Sequence, residues 1–357
     1  MGDEQRPFKG RGSSGNPANR YHAAAVEPVD DGWPADDPLP PLRTEVREER
    51  CRHIISRNQS PDVPFDRSIN PYRGCEHGCI YCYARPTHAW LDLSPGLDFE
   101  SRLSCKPDAA ARLREELADP RYRCAPIALG VNTDAWQPVE RERGITRAVL
   151  EVLAETRHPV TIVTKSALVE RDLDLLQELA RHNLVSVAFS ITTLDSTLAR
   201  RMEPRAAAPH RRLAALGRLS RAGIPTGVML APVIPFLNDA EIETLLAHCR
   251  EAGAGHAGYV FVRLPREVAP LFEQWLDTHY PLKAKRILQR IRDSREGRLN
   301  QVAFGRRMRG EGHYADLIGR RFERARRRFG YSDPPQLDTS RFRPPLPTSG
   351  QMDLFSR

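Results

Sequence analysis

Three of the chain's seven cysteines lie within eight positions. The stretch GCEHGCIYCYAR contains Cys75, Cys79 and Cys82 in the spacing C-x3-C-x2-C. Thiolates are ligands for zinc and for iron–sulfur clusters, and closed sites of both kinds ordinarily take four. Gly74 and Gly78 would let the backbone approach an inorganic cluster and donate N–H groups to its sulfurs. Three thiols therefore predict either a fourth ligand elsewhere or a metal centre with one deliberately open position.

A fourth protein ligand would give a more ordinary site. His77 or His88 would complete a Cys3His zinc site, but zinc sites usually carry a second C-x2-C pair or downstream histidines. Cys105 or Cys124 would complete a four-thiolate cluster, but neither belongs to a motif. Both alternatives stay open on the spacing alone.

The segments that must position this loop alternate between short apolar runs and amphipathic stretches. The runs are mostly apolar and rich in β-branched residues, as buried parallel strands are: 125–132, 159–166, 184–192, 225–232 and 258–264. Helical patterns lie between them, at 140–156, 170–182, 209–222 and 239–252. Repeated strand–helix units predict a parallel α/β sheet, which either a doubly wound sheet or a full or partial barrel satisfies.

The cysteine motif resembles the signature of the radical S-adenosylmethionine (SAM) superfamily, C-x3-C-x-aromatic-C. Cys75, Cys79, Tyr81 and Cys82 match every element of it. The resemblance implies that the three thiolates hold three irons of a [4Fe–4S] cluster and that SAM chelates the fourth iron. Reductive cleavage of SAM would then give a 5′-deoxyadenosyl radical, with Tyr81 beside the adenine. It also implies a partial (β/α)6 TIM-like barrel, whose first strand lies in RSINPYRG.

The sequence around the motif is similar to the spore photoproduct lyase branch of that superfamily. CIYCYAR places Tyr83 directly after the last cysteine, and SPDVPFDRSINPYRG precedes the loop. The resemblance implies that Thr133 and Asp134 in VNTDAWQP contact the SAM amino group and that Lys165 in IVTKS binds its carboxylate. Further site positions are expected where strands end, because barrel active sites are built there: Ser190, Thr192, Ala231 and Pro232.

One departure from the lyase pattern concerns the hydrogen donor. The lyase carries a donor cysteine just before the positions that match Thr133 and Asp134, whereas this chain has Val131 and Asn132 there. Hydrogen transfer is therefore expected to use Tyr83 alone or another cysteine, or the substrate differs. Other cysteines that could serve are Cys105, Cys124 and Cys249. Two further residues, Glu203 and Arg205 in RRMEPRAAAP, either bind substrate or shape a loop.

The charge distribution points to a phosphate-rich partner. The chain has 54 Lys and Arg against 46 Asp and Glu, a net charge of +8, and only five of the basic residues are lysines. Much of the excess lies in 283–328, in RRMRG and RRFERARRRFG. An arginine-biased genome would explain the composition, but the uneven distribution favours a nucleic-acid surface. No apolar run reaches 18 residues and the first residues lack an apolar core, which predicts a cytoplasmic protein without a membrane span.

These patterns divide the chain into four parts. We expect a largely disordered arm and lead-in at 1–59, the radical SAM core at 60–281, a basic helical extension at 282–332 and a Pro-rich tail at 333–357. The tail ends in QMDLF, which resembles the bacterial sliding-clamp binding peptide through Gln351, Leu354 and Phe355.

DNA is therefore the favoured substrate, with RNA or protein as alternatives, and the resemblance implies a flavodoxin- or ferredoxin-type electron donor. A non-catalytic metal-binding protein that attaches to nucleic acid is the alternative of another class.

Overall fold

The computed structural model describes residues 8–21 and 42–345, which contain ten strands and eleven α-helices. The strands are β1 Glu45–Glu48, β2 Ile55–Arg57, β3 Arg67–Ile69, β4 Tyr72–Arg73, β5 Arg102–Cys105, β6 Ile127–Leu129, β7 Val160–Thr164, β8 Val185–Ser190, β9 Thr226–Val233 and β10 His256–Phe261. The helices are α1 Asp98–Ser101, α2 Ala109–Leu117, α3 Glu140–Arg143, α4 Ile145–Glu155, α5 Leu173–Arg181, α6 Ser196–Met202, α7 Pro209–Arg221, α8 Ile242–Glu251, α9 Val268–His279, α10 Pro281–Asp293 and α11 Gly312–Arg328. Three short 3-10 helices, 85–91, 167–172 and 239–241, join them.

A seven-stranded sheet forms the centre of the molecule, in the order β10-β9-β8-β7-β6-β3-β2. Six of its strands are parallel and follow one another in chain order, and β2 pairs antiparallel with β3 at one edge. This confirms the predicted parallel α/β sheet. A doubly wound sheet would reverse its strand order at a switch point, and this one does not.

Each of the predicted strands is present as one strand of the parallel sheet. Its apolar residues are buried there, as the apolar pattern indicates. All six residues of β8 are buried, and Val149, Leu153 and Leu176 of α4 and α5 belong to the same core. The register pairs Ile127 with Val160, which in turn pairs with Val185. The parallel strands therefore end on the same side, and the loops that follow them gather there.

A second sheet, in the order β1-β5-β4, lies next to the cysteine loop, since β4 ends immediately before it. Residues 8–21, which we call the N-terminal strap, make hydrogen bonds to this region: Arg11 Nη1 donates to Glu100 O at 2.6 Å and Leu97 N donates to Gly15 O at 3.2 Å. The prediction of a disordered arm is therefore wrong for these residues and for strands β1 and β2. Gly and polar composition there reflects close backbone packing instead.

The segment of the expected basic extension contains α10 and α11. Residues 332–345 then run back along the core, where the ring of Phe342 packs 5.3 Å from that of His158 and 5.5 Å from that of Tyr122. The clamp-like peptide at 351–355 lies outside the described residues. Among the helices of the described ranges, none is long and apolar enough to cross a membrane.

His158 makes the docking of this returning segment sensitive to pH. Its ring is fully buried, with Nε2 2.7 Å from the Tyr122 hydroxyl and Nδ1 2.9 Å from Pro159 O. Burial lowers the pKa of His158 from 6.5 to about 4. Between pH 6.5 and pH 4 the imidazole of His158 is largely protonated in the unfolded chain and largely neutral in the folded protein. The stability that the neutral ring contributes is therefore fully present above pH 6.5 and is lost as the pH falls towards 4.

We predict that the unfolding free energy loses about 2 kcal/mol between pH 7 and pH 4.5 through His158 alone. Urea unfolding of the protein at both pH values measures the loss. The variant His158→Gln cannot titrate and serves as the control, so its unfolding free energy should fall less over the same range. An identical pH dependence in both proteins would contradict the prediction.

Candidate functional site

The cysteine loop begins at Gly74, directly after β4 ends. Backbone hydrogen bonds fix it at both ends: Cys75 N donates to Phe99 O at 2.9 Å and Ile80 N donates to Met202 O at 3.0 Å. Gly78 has φ +65°, and a Cβ there would lie 2.6 Å from the Glu100 carboxylate. Only glycine therefore fits this turn, which sets the spacing between the first two cysteines.

The guanidinium of Arg85 binds backbone carbonyl groups of the cysteine loop. This side chain is completely buried, and it donates to Cys79 O at 2.9 Å, to Gly78 O at 3.1 Å and to two further carbonyls, Pro95 O and Gly96 O. It also pairs with the buried carboxylate of Glu100 at 2.5 Å. Arg85 thus binds the backbone on which Cys79 stands.

The carboxylate of Glu100 joins the cysteine loop to the N-terminal strap. Its two oxygens accept the N–H groups of Gly12 and Ser13, each at 2.9 Å. A Cβ on Gly12 would lie 1.8 Å from Gly78 O, so the strap lies directly against the loop. The strap therefore packs directly on the turn at Gly78.

The three thiols of the loop are available as metal ligands. All are free of disulfide bonds, with Cys75 and Cys79 buried and Cys82 half-buried. In the part of the chain that the structure describes, no group of three or more His, Cys, Asp or Glu is gathered closely enough to hold one metal ion. A [4Fe–4S] cluster does not need such a group, since each thiolate binds its own iron.

The two histidines that could complete a zinc site have other interaction partners. His77 Nδ1 lies 3.5 Å from Asp134, and burial lowers the pKa of His77. His88 Nε2 is bonded to Arg102 O at 2.9 Å, and its ring packs against Phe99. The zinc alternative is therefore not favoured.

Lys165 and its neighbours stand at the ends of three adjacent strands. Lys165 Nζ donates to Ser190 Oγ at 2.9 Å, and Ser190 Oγ donates to Ala231 O at 3.3 Å. Lys165 N donates to Asp134 Oδ2 at 2.7 Å, so the carboxylate of Asp134 holds the backbone rather than the ammonium. No carboxylate of the described residues forms an ion pair with Lys165 Nζ, which leaves this cation available to an anion.

A buried hydrogen-bonded group connects Tyr81 to the sheet. The Tyr81 hydroxyl donates to Glu203 and lies 3.3 Å from Thr192 Oγ1, which also donates to Glu203 at 2.5 Å. Arg212 forms an ion pair with the other oxygen of Glu203. Burial alone would raise the pKa of Glu203, but Arg212 and Lys165 hold it at about 2. Glu203 therefore joins Tyr81, Thr192 and Arg212 within this wall.

The ring of Tyr81 also faces Lys165, whose Nζ lies 5.8 Å from the ring centre. The structure thus brings together residues from the loop and from four strand ends. Thr133 lies differently, since its hydroxyl donates to Tyr72 O at 2.9 Å inside the protein. Like Asp134, it supports neighbouring backbone in this structure.

Tyr83 differs from Tyr81 in being 45% exposed. Its hydroxyl donates to the carbonyl of Val131, the position before Asn132 where the lyase-like pattern expects a cysteine. Tyr83 therefore stands at the open side of the site, beside the loop that follows β6.

The three cysteines considered as alternative hydrogen donors lie in different parts of the fold. Cys124 precedes β6 and lies near Arg67 at the start of β3, so it stands at the opposite end of the sheet from the cysteine loop. Cys249 is buried in α8. Cys105 is buried in β5 opposite Tyr72. In the described ranges, none of these three belongs to a group of side chains close enough to hold a metal ion.

Several residues of this region were not singled out by sequence patterns: Arg85, Glu100, Arg212 and the strap residues Arg11, Gly12 and Ser13. Arginine is so abundant in this chain that no composition signal could separate these members from the rest. Arg205, which the sequence pattern did single out, forms an ion pair with Glu76 of the cysteine loop at 2.9 Å and so stabilises the loop.

Comparison with known proteins agrees with this geometry. The family model described as the radical SAM superfamily matches residues 69–249. An uncharacterised protein of Mycobacterium tuberculosis is 38% identical over 237 residues, a match that covers 66% of this chain and 70% of that protein. An uncharacterised protein of Methanocaldococcus jannaschii is 28% identical over 242 residues, covering 67% and 85%.

Among solved structures, spore photoproduct lyase complexed with dinucleoside spore photoproduct superposes with a TM-score of 0.56 at 17% identity over 80% of each chain. A variant of that lyase with bound AdoMet and the same dinucleoside also gives 0.56. The likeness establishes that this chain has the fold of that lyase.

We predict that Glu100→Ala destabilises the protein by about 3–5 kcal/mol, because it leaves the Arg85 charge buried without a counter-ion. Guanidinium unfolding of the cluster-loaded protein measures the loss, and the iron content should fall with it. The matched control is Glu155→Ala, which breaks the exposed Arg114–Glu155 pair at 2.8 Å and should cost no more than about 1 kcal/mol. Equal losses in both variants would show that the buried pair does not organise the loop.

Proposed function

Because the chain belongs to the radical SAM superfamily, we propose that it uses a [4Fe–4S] cluster at Cys75, Cys79 and Cys82 to cleave SAM and act on DNA. The catalytic class follows from the family, whereas the DNA substrate is our proposal. We further propose that the six parallel strands form a partial (β/α)6 barrel with the site at their carboxyl ends. The unbroken strand order and the lyase-like fold support this.

When bound, the cluster would supply the electron that converts SAM to methionine and a 5′-deoxyadenosyl radical. The chain's own residues would bind and orient SAM. Lys165 Nζ donates to Ser190 Oγ and forms no ion pair with the described acids, so its ammonium group suits the SAM carboxylate. Tyr81 presents a buried aromatic ring, which suits the adenine, and Ser190, Thr192 and Ala231 line the adjoining strand ends. We assign Thr133 and Asp134 to support of the wall near the SAM amino group.

Tyr83 is the residue best placed to face the substrate. It is the exposed tyrosine beside the loop, and its hydroxyl donates to the carbonyl of Val131, one of the two positions at which the lyase-like pattern expects a cysteine. We propose that Tyr83 takes part in hydrogen transfer. Because Val131 and Asn132 stand where the lyase-like pattern expects a cysteine, we propose that the hydrogen-transfer route differs from that of the lyase.

The observation that carries the DNA proposal is the lyase fold combined with the arginine-rich surface of the C-terminal helices. The similar solved structure is complexed with dinucleoside spore photoproduct. The last turn of α11 contains three consecutive arginines, Arg326, Arg327 and Arg328. We propose lesion processing or repair as the activity. The sliding clamp, through Gln351, Leu354 and Phe355, and a flavodoxin- or ferredoxin-type donor are proposed partners in the cytoplasm.

Anaerobic reconstitution tests the enzymatic part. With dithionite and SAM, the holoprotein should release 5′-deoxyadenosine, and Cys79→Ala should abolish the release and lower the bound iron. The control Cys124→Ser changes a cysteine at the opposite end of the sheet and should retain both. Loss in both variants would mean that the loop is not the specific cluster site.

The substrate class is tested with the same holoprotein. Ultraviolet-irradiated DNA should raise the yield of 5′-deoxyadenosine by about tenfold or more over reactions that contain tRNA or no substrate, because substrate binding drives productive cleavage. Stimulation by tRNA but not by irradiated DNA would overturn the DNA proposal and favour an RNA-modifying enzyme.

A further inference from the structure

An arginine without an acidic partner stands at the carboxyl end of β10. Arg263 follows that strand by two positions and is half-buried. Its guanidinium carbon lies 5.1 Å from the centre of the Tyr83 ring. Within the described ranges it forms no ion pair and no side-chain hydrogen bond. A guanidinium so placed has five N–H donors to offer to a ligand.

A second arginine lies behind this strand end. Arg295 is completely buried, and its Nε and Nη2 donate to Val262 O at 2.8 Å and Phe261 O at 2.9 Å. Its Nη1 has no partner among the described residues. Burial, and then the charge of Arg263, lower the pKa of Arg295 to about 10. Arg295 thus fixes the backbone that carries Arg263 and adds a second positive charge without a counter-ion.

The acid in this neighbourhood is already engaged. Asp62 accepts from Arg307 Nε and from Gly305 N, both at 2.6 Å. Arg307 also donates to the Ser60 hydroxyl. Burial lowers the pKa of Arg263 and the neighbouring Tyr83 opposes this, while Arg307 lowers the pKa by more than Asp62 raises it. Asp62 is therefore occupied by Arg307, and among the described residues it forms no ion pair with Arg263 or Arg295.

We propose that Arg263 binds a phosphate of the nucleic-acid substrate next to Tyr83, with Arg295 positioning the strand end that carries it. A phosphate matches the planar fork of arginine and supplies the missing negative charge. The proposal rests on the proposed function, since it assumes a nucleic-acid substrate. It adds that the substrate is recognised through its phosphodiester backbone at the reacting position.

The carboxylate of SAM is the other anion that could occupy this place. Lys165, three strands away in the sheet order, already offers an ammonium group that forms no ion pair among the described residues, and it faces the Tyr81 ring rather than Tyr83. Arg263 is next to the exposed tyrosine, where substrate must enter. The geometry therefore assigns Lys165 to the SAM carboxylate and Arg263 to the substrate phosphate.

Binding of a fluorescein-labelled, ultraviolet-irradiated DNA duplex to the holoprotein tests this proposal by anaerobic anisotropy at several salt concentrations. Arg263→Gln should weaken binding about tenfold and reduce the slope of log affinity against log salt by about one, because one phosphate contact is lost. Arg263→Lys should recover part of the affinity. The control Arg221→Gln removes an exposed arginine at the end of α7, which leads to the opposite end of the sheet, and should bind as the wild type does.

The SAM affinity of each variant, measured by calorimetry, completes the test. Unchanged SAM affinity in Arg263→Gln supports the assignment, whereas a loss of SAM affinity with normal DNA binding would place the SAM carboxylate at Arg263 instead. Normal DNA affinity and salt dependence in Arg263→Gln would overturn this inference alone. If the wild type bound no DNA, the proposed DNA substrate would fail and this inference with it.

Discussion

The cysteine loop depends on the buried ion pair between Arg85 and Glu100. Removing both charges from water is costly, and such a pair persists only where further hydrogen bonds satisfy its remaining donors and acceptors. Here Arg85 donates to four backbone carbonyls, including those of Gly78 and Cys79, while Glu100 accepts two N–H groups of the N-terminal strap. One pair therefore fixes the loop and closes the strap over it.

Much of the fold could be predicted because its signals are local. The apolar runs are short and bounded, and each became one strand of the parallel sheet, in chain order. The cysteine spacing was equally informative, since three thiols around Tyr81 match few other chemistries. Whether the sheet was doubly wound could not be decided from the sequence, because strand order depends on where each helix packs and not on the strands themselves.

The strap could not be predicted for a physical reason. Residues such as Gly12 and Ser13 have low propensity for regular structure, so their composition suggests a flexible arm. Their order comes from Glu100, which lies far along the chain, and from the close approach to Gly78 that only glycine permits. The role of Arg85 was hidden similarly, because burial distinguishes it from the other arginines and sequence composition does not.

The distribution of charge at the carboxyl ends of the strands argues for two separate anion sites. The acids there are engaged: Asp134 by Thr164 and backbone N–H groups, Glu203 by Arg212 and Asp62 by Arg307. Two basic side chains, Lys165 and Arg263, form no ion pair among the described residues. They lie three strands apart, one facing Tyr81 and the other Tyr83. An enzyme that must bind the carboxylate of SAM and the phosphate of a nucleic acid needs such a separation, because a single site would make the two ligands compete.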